Sequence, residues 1–238
     1  MTIATLQPGP AIQLPKERGA AQARRLGVPL FRRWYRFGVL GARNIPASGP
    51  VIIAANHLGF LDGPVMVLAA SRPVHALAKS ELFAPPLNRI MAMAGQIPIR
   101  YDAPDRKAMA MALGVLRDGR ALGIFPEAHR GSGEVTTIRH GVGYLALMTG
   151  APVVPMAIMG TRAPGMIKDG VPPRNSRINV VYGEPFAVST TGDPARRSVI
   201  AAAGESIRQR LHDHVKEACI LTGQSLPGPL PTTERADR

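Results

Sequence analysis

The feature that most restricts the fold of this sequence is a series of short apolar runs separated by helical patterns. The runs predict six strands, at 50–55, 74–78, 96–99, 121–125, 152–158 and 177–183. Helical patterns between the earlier runs cover 61–70, 86–95, 105–119 and 141–150. Most of the strands are continuously apolar, which is expected of a sheet covered on both faces. The alternation therefore predicts an α/β fold with a mostly parallel central sheet covered by helices.

A long helix is predicted after the last strand. Asp193 is a suitable helix cap, Pro194 fits the first helical position, and Gly223 is expected to end the helix. One apolar face is predicted for this helix from Ile200, Ile207, Leu211 and Val215.

A basic and aromatic segment precedes the first predicted strand. The net charge of the chain is +13, and residues 16–43 supply +7 of it, with eight basic residues and one acid. Within them, PLFRRWYRFG (29–38) predicts a helix from Pro29 to Gly38, with aromatic residues on one arc and arginines on the other. This pattern is typical of a helix in the headgroup layer of an anionic membrane, and a basic helix packed on the domain is the alternative. We predict a basic amphipathic membrane-association segment at 18–43.

The remaining boundaries follow from composition. We expect a flexible tail at 1–17, a folded domain at 44–222 and a disordered tail at 223–238. The first residues lack the basic start and continuous apolar core of a secretory signal. Residues 141–161 carry no charge, but the turn TGAP (149–152) and Pro155 predict a short helix and a buried strand rather than a transmembrane helix. The single cysteine, Cys219, fits a reducing compartment.

Polar residues follow the first predicted strand. His57 comes directly after that strand and Asn56, and Asp62 lies five residues farther on. Ligands of α/β folds bind beyond the carboxyl ends of the strands. A lone histidine there is usually structural, but with a helix starting near Leu61 the Asp62 carboxylate can accept from Nδ1–H of His57 and leave Nε2 as a general base. No Gly-x-Ser-x-Gly elbow or activated cysteine accompanies them, so we expect a substrate hydroxyl to be the nucleophile.

A second polar group follows the strand at 121–125. In GIFPEAHRG (123–131), Arg130 offers a planar fork for phosphate or carboxylate, and Glu127 can hold that arginine or a substrate hydroxyl. A surface ion pair of little energetic value is the alternative interpretation.

Four blocks in order resemble the glycerolipid acyltransferase family, which includes the 1-acylglycerol-3-phosphate acyltransferases. They are NHLGFLD (56–62), GQIPIRYD (95–102), FPEAHRG (125–131) and APVVPMAIMG (151–160), and the resemblance runs from about residue 45 to residue 183. It implies that His57 is the general base, that Asp62 orients it, and that Glu127 and Arg130 bind glycerol phosphate. Lys79 and Arg139 fall at basic positions of the family and are implied to assist phosphate or carrier binding. Arg100, one place before the arginine position of the second block, is a further candidate for substrate binding.

The sequence departs from the family pattern in two blocks. The arginine of the second block falls on Tyr101, with Arg100 one place earlier. In the third block, Ala128 and His129 stand where the family has Gly-Thr. Losing the glycine removes a flexible backbone site that a ligand can approach closely, and His129 adds a donor beside the anion. These changes concern the identity of the acceptor and not the acyl-transfer chemistry.

The resemblance implies an O-acyltransferase that moves an acyl group from acyl-CoA or acyl carrier protein to the free hydroxyl of a lysophospholipid. The leading acceptor is 1-acylglycerol 3-phosphate, which gives phosphatidate. We expect no metal and no cofactor, because a histidine base and a thioester donor suffice. The expected partners are the acceptor, the thioester donor and an anionic membrane surface, with the protein peripheral on the cytoplasmic face and no nucleic acid bound.

Three alternatives stay open. An acyltransferase of this family could act on another lysophospholipid, a glycolipid or an amino-acid lipid. A metal-dependent hydrolase could use His57, Asp62, Glu127 and His129, although no HExxH or paired-histidine spacing is present. A non-enzymatic binder of nucleic acid or lipid would use the positive charge, but the sequence contains no helix-turn-helix, RNA-binding or zinc-finger pattern.

Overall fold

The computed structural model of the protein describes residues 14–189 and 191–231. In chain order its helices and strands are α1 (Glu17–Trp34), β1 (Arg36–Leu40), β2 (Val51–Ala55), α2 (Asp62–Ala69), β3 (Val74–Lys79), α3 (Asn88–Met93), β4 (Ile97–Ile99), α4 (Arg106–Arg117), β5 (Ala121–Ile124), α5 (Gly141–Thr149), β6 (Val153–Met159), β7 (Arg177–Tyr182) and α6 (Arg197–Thr222).

The seven strands of this part of the chain form one sheet in the order β1-β7-β6-β2-β5-β3-β4. Neighbouring strands are parallel except β6 and β7, which are antiparallel. The strands β2 to β6 therefore point the same way, while β1 and β7 run in the opposite direction. As a result, the loops that follow β2, β3, β4, β5 and β6 meet at one edge of the sheet, where α/β folds bind ligands.

Apolar side chains cover both faces of the sheet, which explains the continuously apolar strands. On one face, α4, α5 and α6 pack over strand residues such as Ile52 and Leu122. On the other face, α2 and the aromatic residues at the end of α1 pack over Val51, Ile53 and Val154. Adjacent residues of one strand thus enter opposite layers. The α/β fold with a mostly parallel sheet is confirmed, as are the six predicted strands and the four helices between the earlier ones.

The predicted helix at 29–38 is wrong in both of its bounds. The helix α1 begins at Glu17 and contains Pro29, and the chain becomes extended at Tyr35 and pairs β1 in parallel with β7. Gly38 lies inside β1, where a Cβ atom would collide with the side chain of Asn179. The glycine that resembles a helix stop is therefore required by close packing between strands, and a strand was missed.

The long C-terminal helix ends at Gly223 as predicted, with a positive φ of 61°, but it begins at Arg197 rather than at Asp193. The Asp193 side chain accepts from the backbone N–H of Ala195, at 2.9 Å, and its carbonyl accepts from Arg196. Asp-Pro thus forms a separate turn before the helix.

Parts of both predicted tails contact the domain. Leu14 packs against the layer formed by α4, α5 and α6, and the carbonyl of Pro15 accepts from Arg120 at 2.7 Å. At the other end, residues 223–231, which the sequence predicts to be disordered, contain Gln224 and Leu226 in contact with the fold. The rest of the predicted tails, 1–13 and 232–238, lies outside the described residues.

The uncharged stretch at 141–161 folds as the sequence predicts, into α5 and the fully buried strand β6. Across residues 14–189 and 191–231, none of the helices combines the length and the apolar character needed to cross a bilayer.

Candidate active site

The His57 imidazole and the Asp62 carboxylate meet at the carboxyl end of β2. The strand ends at Ala55 and α2 begins at Asp62, so the intervening loop turns the carboxylate back toward the ring. The Nδ1 atom of His57 lies 2.7 Å from Oδ2 of Asp62. The geometry that the five-residue spacing predicts is thus present, and Nε2 remains as the ring nitrogen that can take a proton.

Asp62 is completely buried but has several hydrogen-bond donors. Its Oδ2 atom accepts from the backbone N–H groups of Leu58, at 2.5 Å, and Gly59, at 2.8 Å, and its Oδ1 atom accepts from Oγ1 of Thr161 at 2.5 Å. A buried carboxylate is stable only when such donors replace water. The same bonds fix the direction from which the carboxylate meets His57.

The imidazole of His57 is held from two further sides. Its ring stacks on Phe125, with centroids 4.2 Å apart and planes at 17°. The backbone N–H of His57 donates to Oε1 of Glu127 at 2.9 Å, and its carbonyl accepts from the N–H of Gly131 at 2.9 Å. The His57 side chain is 14% exposed. These contacts tie the loop after β2 to the loop after β5.

Asn56, next to the histidine, joins β2 to β6 beyond their regular pairing. Its amide donates to the carbonyl of Ile158 at 3.1 Å, and its side-chain oxygen accepts from the N–H of Ile158 at 2.7 Å. The side chain therefore substitutes for a backbone rung of the sheet. This pairing accounts for an asparagine at the point where a buried strand ends.

The pKa of Glu127 lies near neutral pH. Burial raises its pKa to about 7, with Asp62 contributing in the same direction, whereas the backbone hydrogen bond from His57 lowers it. Ala128 follows with a φ of 63° and is buried. This left-handed conformation favours glycine, which is the residue that the family has at this position.

Arg130 lies beside the loop that carries His57 and Asp62. Its Nη1 atom is paired with Asp169, and its guanidinium lies 5.7 Å from the centroid of the Phe60 ring. Its Nε atom is buried and makes no hydrogen bond within residues 14–189 and 191–231. The guanidinium fork is thus not fully hydrogen-bonded within the described part of the chain.

The other predicted basic residues lie elsewhere along this edge of the sheet. Arg139 is exposed, and its guanidinium lies 5.9 Å from the centroid of the Tyr101 ring, which in turn lies 6.3 Å from the His129 ring. Lys79 is the exposed last residue of β3. The Arg100 side chain follows β4, is 61% exposed and lies 3.9 Å from Asp105. Because β5 separates β2 from β3 and β4, Lys79 and Arg100 share the edge but do not adjoin the pair.

A cavity of about 260 Å³ is lined by Glu127 and Gly131, which hydrogen-bond the backbone of His57, whereas the side chains of His57 and Asp62 do not line it. The loop after β5 lines it with residues 127, 129–132, 136 and 137, and the C-terminal segment adds 229 and 230. A larger cavity of about 690 Å³ lies between β7 and α6 and includes Phe186, His214 and Leu221. None of the predicted site residues lines the larger cavity, so we assign the site to the smaller one.

Two residues that no sequence motif indicated organise this edge. Thr161 donates to Asp62, and its neighbour Arg162, only 2% exposed, donates to backbone carbonyls of several loops. Both follow β6, which neighbours β2 in the sheet. A polar pair directly after the strand beside β2 was the available signal.

The metal-site alternative gains no support from the geometry. Within residues 14–189 and 191–231, no group of three or more His, Cys, Asp or Glu side chains is arranged to hold a metal ion.

The structure brings His57, Asp62 and Glu127 into one hydrogen-bonded group, and Arg130 lies beside the same loop. The catalytic and binding roles of these residues remain predictions.

Comparison with known proteins identifies the family. A family model described as Acyltransferase matches residues 36–159, just over half of the chain. The 1-acyl-sn-glycerol-3-phosphate acyltransferase of Borreliella burgdorferi is 33% identical over 127 residues, covering 52% of this chain and 51% of that protein. The enzyme of the same name from Bacillus subtilis is 26% identical over 180 residues, covering 74% of this chain and 86% of that protein. This chain thus spans about half the length of the Borreliella relative.

The fold is shared with a solved structure. The crystal structure of the 1-acyl-sn-glycerophosphate acyltransferase from Thermotoga maritima matches with a TM-score of 0.60 and 23% identity, covering 83% of this chain and 79% of that one. The resemblance seen in the four sequence blocks is confirmed: the chain belongs to the acyltransferase family.

Proposed function

We propose that the protein transfers an acyl group from an acyl thioester to the free hydroxyl of a lysophospholipid, with 1-acylglycerol 3-phosphate as the leading acceptor and phosphatidate as the product. The observation that supports this most is the 2.7 Å contact between His57 and Asp62 beside a cavity that contains Arg130. Relatives from Borreliella burgdorferi and Bacillus subtilis are named 1-acyl-sn-glycerol-3-phosphate acyltransferases.

The chemistry follows from the tautomer that Asp62 selects. With Nδ1–H donated to Asp62, Nε2 of His57 takes the proton of the acceptor hydroxyl as its oxygen attacks the thioester carbonyl. The new C–O bond forms and the C–S bond breaks. The thiolate leaves readily because a thiol has a pKa of about 8.5, and it recovers the proton from His57. The step balances without a metal or a redox cofactor.

Arg130 supplies the charge that an anionic acceptor requires. Arginine presents donors in a planar fork that matches phosphate, and Arg130 lines the cavity with a guanidinium that is not fully hydrogen-bonded within the described residues. Glu127 shares this cavity, and its raised pKa reduces the negative charge that it would present to a phosphate. The donor, acyl-CoA or acyl carrier protein, is a co-substrate and not a bound cofactor.

A different lipid acceptor is the second candidate. The departure at Ala128 and His129 supports it, because both residues belong to the loop that carries Arg130. His129 lies near Tyr101 and Arg139, so the surroundings of the anion differ from those that Gly-Thr would give.

An assay of thiol release separates these candidates. One acyl-CoA, and in parallel one acyl carrier protein, is offered with lysophosphatidate, larger lysophospholipids, a glycolipid and an amino-acid lipid. We expect the highest kcat/KM with 1-acylglycerol 3-phosphate. A higher kcat/KM with another lipid would identify that lipid as the acceptor. If none of the lipids in the panel leads to thiol release, the proposal of acyl transfer is contradicted.

We also propose that the outer face of α1 attaches the protein to an anionic membrane surface, as a peripheral protein on the cytoplasmic face. Three apolar side chains four residues apart are exposed on this helix: Leu26 at 76%, Leu30 at 61% and Trp34 at 50%. The exposed arginines Arg32 and Arg33 lie on the same helix. An apolar stripe beside basic residues matches the interface of an anionic bilayer.

Substitution of the stripe tests this attachment. Replacing Leu26, Leu30 and Trp34 together by Gln should abolish co-sedimentation with vesicles of phosphatidylcholine and phosphatidylglycerol. Replacing the exposed Ile220 and Leu221 of α6 by Gln is the matched control and should leave binding intact. If the α1 variant binds as tightly as the wild type, the membrane surface lies elsewhere.

A further inference from the structure

The C-terminal segment 224–231 returns to the edge of the sheet that carries His57. The Gln224 side chain accepts from Nδ2 of Asn179 at 2.6 Å and donates to the carbonyl of Arg177 at 3.0 Å. Because β7 runs opposite to β2, the start of β7 lies at the same edge as the end of β2. Leu226 then packs against the layer of α4, α5 and α6. The segment is thus fixed where it leaves α6.

Arg162 fixes the segment at its far end. One nitrogen of the buried guanidinium, Nη2, donates to the carbonyl of Gly131 at 2.8 Å and to that of Gly228 at 2.6 Å. Its Nε atom donates to the carbonyl of Leu58 at 3.0 Å. A guanidinium is permanently charged, so its burial requires acceptors of this kind. Arg162 therefore couples the position of the C-terminal segment to the loops after β2 and β5.

Two of the segments that Arg162 joins, the loop after β5 and the C-terminal segment, both line the smaller cavity. The wall after β5 is polar and contains Glu127 and Arg130, and the wall from the C-terminal segment is apolar, with Pro229 and Leu230. The volume of about 260 Å³ lies just below the range of small-molecule sites, which begins at about 300 Å³. Among the lining residues, Arg130 offers hydrogen-bond donors to a phosphate group, whereas the side chains of Pro229 and Leu230 offer none.

We propose that Pro229 and Leu230 select the acceptor by the size and polarity of its headgroup, with Arg162 as the residue that positions this wall. A phosphomonoester reaches Arg130 without meeting the wall. A phosphodiester headgroup that continues into an ammonium extends toward Pro229 and Leu230, where apolar side chains cannot replace its water. The inference rests on the proposed function and deepens it by naming the wall that excludes larger headgroups.

The test compares two acceptors with one donor. The ratio of kcat/KM for 1-acylglycerophosphocholine to that for 1-acylglycerol 3-phosphate is measured for the wild type, Leu230→Ala and Leu230→Trp. We expect the ratio to rise about ten-fold in Leu230→Ala, as is typical of shortening one apolar side chain in a pocket. Leu230→Trp should lower kcat/KM for 1-acylglycerol 3-phosphate. Ser225→Ala, in an exposed part of the same segment, is the control and should change neither value.

Calorimetric binding of glycerol 3-phosphate and glycerophosphocholine provides the same comparison without turnover. An unchanged selectivity in Leu230→Ala, by turnover or by binding, overturns the wall proposal even if the enzyme is active. If no form transfers acyl groups but Leu230→Ala still gains affinity for glycerophosphocholine relative to glycerol 3-phosphate, the wall is supported and the proposed acyl transfer fails.

Discussion

The Nδ1 atom of His57 lies 2.7 Å from Oδ2 of Asp62, and the hydrogen bonds that Asp62 receives fix this contact. The carboxylate reaches the imidazole because β2 ends immediately before the loop and α2 starts at Asp62 itself. The contact between His57 and Asp62 is therefore already formed before a substrate binds.

Thr161 should support this pair. Thr161→Val removes the hydroxyl that donates to Oδ1 of Asp62 while preserving shape. Loss of one hydrogen bond to a buried charge should reduce the free energy of unfolding by about 1–3 kcal/mol. We expect kcat to fall several-fold because the carboxylate gains freedom to turn away from His57. Thr222→Val removes a buried hydroxyl that bonds only within α6, and equal kcat values for the two variants would contradict a role of Thr161 in positioning.

Arg130 should contribute to acceptor affinity far more than Arg100. Arg130→Ala removes the fork beside the cavity and should raise the acceptor KM by about ten-fold to a hundred-fold, the range for a hydrogen bond to a charged group. Arg100→Ala should have a smaller effect because that side chain is 61% exposed and paired with Asp105. Arg117→Ala, at the end of α4, is the control. Equal KM values for the Arg130 and Arg100 variants would contradict the assignment of the phosphate site.

Ala128 should be a strained residue. Its φ of 63° costs a residue with a Cβ atom about 1–2 kcal/mol, and glycine avoids that cost. Ala128→Gly is therefore expected to raise the free energy of unfolding by about 1 kcal/mol, as measured with urea. Ala202→Gly, exposed within α6, should instead lower it by about 1 kcal/mol. A loss of stability in Ala128→Gly would show that the conformation is not strained.

His75 should make the fold less stable in mild acid. It is completely buried, its Nδ1 atom lies 2.7 Å from the carbonyl of Gly95, and burial lowers its pKa below the ordinary value. Below about pH 6.5 the unfolded chain therefore binds a proton that the folded chain does not, and the free energy of unfolding decreases as the pH falls toward the folded-state pKa of His75.

The measurement is urea unfolding at pH 7.5 and at pH 5.5. His75→Asn removes this titration, so its loss of stability between the two pH values should be smaller than that of the wild type. His214, whose pKa burial also lowers, and Glu127, whose raised pKa makes stability change with pH in the opposite direction, are present in both proteins. The difference between the two proteins therefore reports the titration of His75. Equal losses in both proteins would contradict the prediction.

Most of the fold could be predicted because a strand that is buried on both faces has a continuously apolar sequence. The N-terminal strand was missed because β1 lies at the sheet edge and none of its residues is fully buried, so Gly38 resembled a helix end. The contact between His57 and Asp62 could be predicted because it depends on five residues of local chain. Thr161 and Arg162 act across about a hundred residues, a separation that local patterns do not encode.

The C-terminal segment illustrates the same limit. Its composition resembles a disordered tail because proline and glycine are frequent, but two glutamine bonds and one arginine bond hold it against the sheet. These partners, Asn179, Arg177 and Arg162, are all distant in sequence. The apolar wall of the cavity could therefore be recognised only from the structure.

The most direct test of the central claim is the turnover of His57→Ala with an acyl thioester and 1-acylglycerol 3-phosphate at saturating concentrations. The general-base account predicts that kcat falls at least about a hundred-fold, the lower limit for loss of a catalytic base, while the unfolding curve in urea shows a folded protein. A folded variant whose kcat stays within two-fold of the wild type, a bound that corresponds to about 0.4 kcal/mol in the activation barrier, would contradict it.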